Sequence, residues 1–237
     1  MKAIFVVFIS LLFISSLSAQ RSNKDDRFIV GLNVGVVKPL GDFAEESKLG
    51  TDLSLSAKLL LNPKLAVGLS VGYMDFGQND SFWNGGNLGV NTVNYQIIPI
   101  VFTATYFIQA YDVDFRPYAS IGFGYFLYRN HVDFKSASQV EYPYNNAASL
   151  EYTITDNKVG LIPNVGFLYN LSKQWTFDAN VKFIYIPNFD KVRSVKQTYT
   201  NVADSYGDDK TRIVENYATG FSSISSTSLT VGMYYRF

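Results

Sequence analysis

The sequence predicts an all-β fold, an eight-stranded antiparallel up-and-down transmembrane β-barrel. Three observations carry this. Eight segments are strand-like, and all but one of them alternate cleanly between apolar and polar residues with period two, the mark of a strand with one apolar face. The connections between them are short and long in strict turn. No segment combines a helical period with helix caps.

The chain begins with an address. Met1-Lys2 supplies a positive charge, Ile4 to Leu17 is apolar except for serines, and Ala19 offers a small residue before Gln20. That is the pattern of a secretory signal peptide. Residues 1–19 are expected to be that peptide and 20–237 the barrel domain.

The first strand, 28–38, sets Phe28, Val30, Leu32, Val34 and Val36 against Gly31, Asn33 and Gly35. The second, 51–61, sets Leu53, Leu55, Ala57, Leu59 and Leu61 against Asp52, Ser54, Ser56 and Lys58. The third, 65–76, sets Leu65, Val67, Leu69, Val71 and Tyr73 against Gly68, Ser70 and Gly72. The fourth, 92–108, changes phase: Val93, Tyr95 and Ile97 hold one, then Ile100, Phe102, Tyr106 and Ile108 the other. Pro99 sits at the change, and prolines inside sheets gather at bulges, so a bulge is expected there. Pro163 poses the same question in the sixth strand. The fifth (116–128), sixth (157–170), seventh (175–186) and eighth (226–237) strands alternate as the first three do. Each of the eight is eleven residues or longer, enough for the roughly 9–11 residues of a tilted membrane-crossing strand.

The odd-numbered gaps, 39–50, 77–91, 129–156 and 187–225, hold 12, 15, 28 and 39 residues, and the even-numbered gaps are tight turns. Outer-membrane barrels sort their connections this way, with short turns to the periplasm and long loops outside. The apolar face is almost free of charge, as lipid contact requires. A closed barrel is also the only sheet that leaves no edge unpaired in lipid. Tyr73, Tyr95, Tyr128 and Tyr185 fall near the long loops, and Phe107, Tyr169, Trp175 and Phe237 near the short ones. They are expected to form two interfacial girdles.

Composition removes other classes. Of 237 residues 47% are apolar, 16% aromatic and 17% charged, which does not fit a disordered chain. Twenty basic residues balance twenty acidic ones, and without Lys2 the counts become 19 and 20. That leaves no basic excess for nucleic acid. The chain has no Cys, so neither disulfides nor thiolate-bound metals are available. Only the N-terminus approaches the roughly 20 apolar residues of a membrane helix.

The other strand face carries Asp52, Lys58, Lys158, Asp178, Lys182 and Arg236. Asp178 and Lys182 lie four apart, and Asp52 and Lys58 six apart, so each pair shares a face. Side chains just fill an eight-stranded barrel, and an isolated charge in that interior is costly. An ion-paired, hydrated plug is therefore expected, not a pore. His131, the only histidine, has Asp133, Ser136 and Ser138 nearby but no nucleophile motif, and it reads as a solvated loop residue. The cluster Asp204-Ser205-Tyr206-Gly207-Asp208-Asp209 lacks the Ca²⁺-hand spacing and adjoins Lys210 and Arg212, so it too reads as solvated loop. No catalytic residue, metal ligand or cofactor is assigned. Loop 129–156 carries Tyr142, Tyr144, Tyr152, Asn145 and Asn146. This is a contact chemistry, on a loop expected to fold back over the barrel mouth.

The last strand, Thr230-Val231-Gly232-Met233-Tyr234-Tyr235-Arg236-Phe237, resembles the C-terminal signal of bacterial outer-membrane barrels at Thr230, Gly232, Tyr235 and Phe237. In that family the barrel-assembly machinery reads the signal. The chain from residue 20 on resembles the small outer-membrane β-barrels of Bacteroidetes-type bacteria, related in architecture to OmpX, OmpA and OmpW. The shared features are Pro39-Leu40-Gly41-Asp42-Phe43, Ile97-Ile98-Pro99-Ile100, Pro117-Tyr118 with Gly122 and Gly124, and Tyr235-Arg236-Phe237. The resemblance implies an outer-membrane location, lipid and the assembly machinery as partners, and a porin-like description for relatives. The reading that follows is a structural or surface-interaction barrel, with a ligand or protein partner at loops 129–156 and 187–225. A narrow solute channel comes second and a membrane-embedded enzyme third. A soluble lipocalin-like barrel would turn its apolar face inward, and the loop parity and terminal signal disfavour it.

Overall fold

The computed structural model describes residues 28–83, 90–109, 113–134, 149–189, 192–200, 210–218 and 221–237. Its strands are β1 (Phe28–Leu40), β2 (Ser47–Asn62), β3 (Leu65–Gln78), β4 (Val90–Phe107), β5 (Phe115–Phe134), β6 (Ser149–Asn170), β7 (Trp175–Ile186), β8 (Val192–Thr200), β9 (Lys210–Ala218) and β10 (Ile224–Arg236). Two single-turn helices, α1 (Phe43–Glu46) and α2 (Asp80–Trp83), follow β1 and β3. Strands β1 to β7 and β10 pair with their neighbours, all antiparallel, and β10 closes on β1 from Ile29↔Arg236 to Leu40↔Ser225. The fold is a closed eight-stranded up-and-down barrel, as the alternation predicts. The N-terminal segment read as a signal peptide lies outside the described residues.

Alternation sets the two faces. Leu32, Val34, Leu69, Phe102, Ile121, Phe123, Val165 and Leu229 point outward and are exposed. From Ile98 to Ile108 the outward apolar run of β4 rises about 33 Å along the strand. At a tilt near 40° that is roughly 25 Å, the height of an outer-membrane belt.

The phase change in β4 has another origin than a bulge. Val71↔Ile100 and Met74↔Ile97 keep one register across Pro99, and β4 and β5 pair without a shift from Thr92 to Phe107. Leu161↔Tyr185 and Asn164↔Lys182 likewise keep one register across Pro163. The missing proline N–H interrupts the ladder without moving it. What changes along β4 is which face is apolar. Val93, Tyr95 and Ile97 are buried in the half of the lumen nearer the long connections, while Ile98, Ile100 and Phe102 face outward lower down.

Two further expectations change. Tyr95, Tyr128 and Phe107 are buried in the lumen and join no girdle. Tyr73, Tyr185, Tyr169, Trp175 and Phe237 do face outward. At the periplasmic end Trp175, Tyr235 and Phe237 interlock edge to face, with ring centroids 5.2 and 4.8 Å apart. The segment 187–225, read as loop, contains the β8–β9 hairpin. Strand β6 parts from β7 above Leu161 and takes β8 as a partner from Ser149↔Thr200 to Tyr152↔Gln197. An edge freed in this way must find partners for its backbone groups.

Candidate functional site

The candidate site is the lumen, which falls into layers. At the extracellular end the loops send three rings inward. Gly41, at φ +60°, turns the chain after β1 and starts α1, which carries Phe43. That backbone conformation suits glycine because it has no Cβ. Phe43 meets Phe76, Tyr95 and Phe221 edge to face at 5.1, 5.5 and 5.1 Å. Phe221 also packs on Phe189 at 5.6 Å, and Phe189 packs on Tyr128 at 5.1 Å. Aliphatic side chains, among them Val37, Met74, Ile97, Val101, Ile162 and Ile184, extend this buried cluster.

Polar bonds fasten α1 over the mouth. The Ser47 hydroxyl donates to the Phe43 carbonyl at 2.6 Å, and the Tyr95 hydroxyl donates to Glu46 Oε2 at 2.9 Å. The Asn79 backbone N–H donates to the Glu46 carbonyl at 2.9 Å, and its side-chain amide to the Glu45 carbonyl at 2.8 Å. At the rim Lys48 reaches Asp80 at 2.7 Å and Gln78 donates to the same carboxylate at 3.0 Å. The Lys48 hydrogen bond first, then that from Gln78, holds the Asp80 carboxyl below the usual carboxylate range.

Below the rings the lumen turns polar. Lys182 Nζ bridges to Asp52 Oδ2 at 3.1 Å, and the Ser228 hydroxyl donates to the same oxygen at 2.6 Å. Asp178 accepts from the Tyr118 hydroxyl at 2.8 Å and from the Asn180 amide at 2.7 Å. The Asn180 carbonyl accepts from Thr230 at 2.9 Å. Lys58 lies over the rings of Tyr118 and Tyr234, 5.1 and 4.8 Å from their centroids. The Tyr234 hydroxyl accepts from the Asn33 amide at 2.8 Å and bonds Ser56 at 2.7 Å. A cavity of about 60 Å³ opens among these groups, room for roughly four water molecules. At the periplasmic end Arg116 donates to the Pro63 carbonyl at 3.0 Å and lies 4.1 Å over Phe107. Leu60, Ala66, Phe107, Tyr118 and Leu168 form a second buried cluster.

The six charges named from sequence all point away from lipid, but neither Asp178 with Lys182 nor Asp52 with Lys58 forms a pair. Asp52 of β2 meets Lys182 of β7, while Asp178 is held by Tyr118 and Asn180. Lys158 pairs with Asp156 at 3.3 Å nearer the mouth, and Arg236 donates to Asn170 at 3.0 Å at the opposite end. Of the terminal motif, Thr230 and Gly232 face inward, and Tyr235 and Phe237 join the outer aromatic cluster. A Cβ on Gly232 would collide with Asn33 Oδ1. His131 belongs to β5 and not to a loop, and its Nδ1 bonds the Thr153 hydroxyl at 2.7 Å. Ser136, Ser138 and the 204–209 cluster lie outside the described residues, as do Tyr142, Tyr144, Asn145 and Asn146. Among the described residues no three His, Cys, Asp or Glu side chains gather as a metal site.

Arg116 and Tyr234 are not among the site residues expected from the sequence, and Tyr118 enters only in the Pro117-Tyr118 feature, although period-two counting from Ser120 and from Gly232 puts all three inside. Phe43, Glu46, Phe189 and Phe221 carry no such signal, because their segments have no period.

A sealed eight-stranded sheet with an apolar belt and a charged, internally bonded lumen defines a membrane-spanning β-barrel. Residues 7–237 match the family model described as the outer membrane protein beta-barrel domain, and the chain belongs to that family. No curated protein sequence matches it. Solved structures share its fold. A major outer membrane protein from Thermus thermophilus aligns over 89% of this chain and 99% of its own, at 17% identity and a TM-score of 0.57. OprG of Pseudomonas aeruginosa aligns over 91% and 98%, at 16% identity and 0.52. Neisserial surface protein A aligns over 91% and 100%, at 16% identity and 0.50.

Proposed function

We propose that this outer-membrane barrel is closed to steady conduction and acts at the cell surface through its extracellular strands and loops. The observation that carries this is the apolar cluster around Phe43, Phe189 and Phe221, which fills the extracellular half of the lumen. A dry aromatic layer is a barrier to ions because moving a charge through it forfeits hydration. The partner is a ligand or protein met at 129–156 and 187–225. The chain reaches the membrane by the 1–19 signal peptide and is inserted by machinery that reads Thr230, Gly232, Tyr235 and Phe237. We read it as non-enzymatic, with His131 bonding Thr153 on the outer face. A narrow channel is the second reading, favoured by the polar cavity between Asp52 and Asp178. Purified protein in planar bilayers separates the two. The expected outcome is electrical silence, and steady single-channel steps would replace the first reading with the second.

A further inference from the structure

We propose that Phe43 is a built-in stopper in an outward-facing pocket whose ligand is a small amphiphile, with a benzene-sized ring and a hydrogen-bond-donating head. The inference rests on the closed-barrel reading above. The rings that close the lumen come from two sources. Phe76, Tyr95 and Tyr128 belong to the wall, while Phe43, Phe189 and Phe221 arrive on connections. Both connections turn beside the rings through left-handed backbone, at Gly41 (φ +60°) and at Asn188 (φ +66°). The wall rings are therefore fixed by the ladder, and the connection rings stand on segments outside it.

Phe43 occupies a cage. The rings of Phe76, Tyr95 and Phe221 stand nearly perpendicular to it, at interplanar angles of 79°, 88° and 77°. Edge-to-face packing suits any ring of this size, whichever molecule carries it. The hydrogen-bonded wall closes the cage on its lipid side, so a ring that replaces Phe43 enters from the mouth.

The floor sets the head group. Met74, Val101 and Ile162 belong both to the apolar cluster and to the lining of the polar cavity, so the two compartments share a boundary. Across it lie Asn33 Oδ1 and Asp52 Oδ1, two buried acceptor oxygens with no hydrogen-bond partner among the described residues. Asn164 Oδ1 is a third, in the same lining. These acceptors favour a donor head in place of the water for which the cavity has room. The floor below, with Lys58 over Tyr118 and Tyr234 and Arg116 over Phe107, is built from wall residues. Displacing the stopper therefore opens a blind pocket and not a pore.

The chain has no Cys, so Ser54→Cys places a single reporter thiol in the cavity lining. The folded barrel in proteoliposomes is treated with a membrane-impermeant thiol reagent, with Phe43 intact or replaced by Ala. Phe43→Ala vacates space of the kind that binds benzene in engineered cavities, on the order of 150 Å³. Labelling is expected to be slow with Phe43 and roughly tenfold faster in the Ala variant, since access limits thiol chemistry. Phenethylamine is then expected to slow labelling of the Ala variant about tenfold, and ethylbenzene at equal concentration clearly less. Unchanged labelling in the Ala variant, or labelling indifferent to both probes, overturns the pocket. Equal protection by both probes overturns the donor head. Fast labelling with Phe43 in place overturns the closed-barrel reading instead. If Phe43→Ala loses the compact heat-modifiable form, Phe43→Val, which also removes the ring, is used with the same criteria.

Discussion

The extracellular and periplasmic halves of the lumen solve one problem with opposite chemistry. Both must fill the inside of a barrel whose outer face is already committed to lipid. The upper half does so with rings and aliphatic side chains, stabilised by area and shape. The lower half does so with charges and amides, each of which must find its partner. A shape-filled region tolerates a replacement of similar volume, whereas a partner-filled region does not tolerate a missing group of any volume. That difference can be broken at named residues.

The largest effect is expected at Asp52. Asp52→Ala leaves the largely enclosed Lys182 ammonium without its ion-pair partner, 3.1 Å away in the native barrel. Breaking one side of such a pair costs about 3–5 kcal/mol. Urea unfolding in lipid vesicles, followed by the heat-modifiable gel band, measures it. Asp52→Leu combined with Lys182→Met is expected to recover most of the loss. If the double replacement is as unstable as Asp52→Ala, the lower half is not partner-limited.

Phe43→Ala comes next, at about 3 kcal/mol, the lower end for a buried phenylalanine, because α1 can settle partly into the gap. Phe43→Leu is expected to cost only about 1 kcal/mol. The ratio of these two losses, in the same unfolding assay, tests whether the upper half is held by shape. Tyr118→Phe keeps the ring under Lys58 but removes the hydroxyl that donates to Asp178 at 2.8 Å. A bond to a charged group contributes about 2 kcal/mol. A loss no larger than that of Phe43→Leu would mean that water replaces the hydroxyl in the adjoining cavity.

The same division explains what the sequence made legible. Strand positions follow from period two, so the barrel, its strand count and the inward set Asp52, Lys58, Asp178 and Lys182 could be read directly. Partners within the lumen could not, because alternation fixes a face and not the distance across the barrel. Asp52 and Lys58 share a face of β2, yet the carboxylate meets Lys182, carried by β7 on the other side of β1 and β10. The apolar upper lumen left one trace, the phase change in β4. It imitates a bulge because a strand apolar on both faces at different heights loses its simple alternation. Phe189 and Phe221 left none, and Phe43 only its place in Pro39-Leu40-Gly41-Asp42-Phe43. Their positions depend on how the connections fold back, and that depends on the cage they enter.

The smallest effect is expected at the rim, where the two halves no longer compete and solvent screens every charge. Asp80 accepts from Lys48 at 2.7 Å and from Gln78 at 3.0 Å, and these bonds hold its carboxyl below the ordinary carboxylate range. The sign follows from linkage. A carboxyl depressed in the folded protein stabilises it at pH above the unfolded value, and the contribution is lost as pH falls through the folded one. Acidification should therefore loosen the α1–α2 contact before it disturbs the lumen. The reporter is the Asn79 backbone N–H, which donates to the Glu46 carbonyl. Its hydrogen exchange, corrected for intrinsic rate, is expected to quicken slightly in acid in the native chain. In Asp80→Asn it should be equally fast at neutral pH, with a smaller response to acid. Equal acid responses in both would show that the Asp80 carboxyl does not control the loosening.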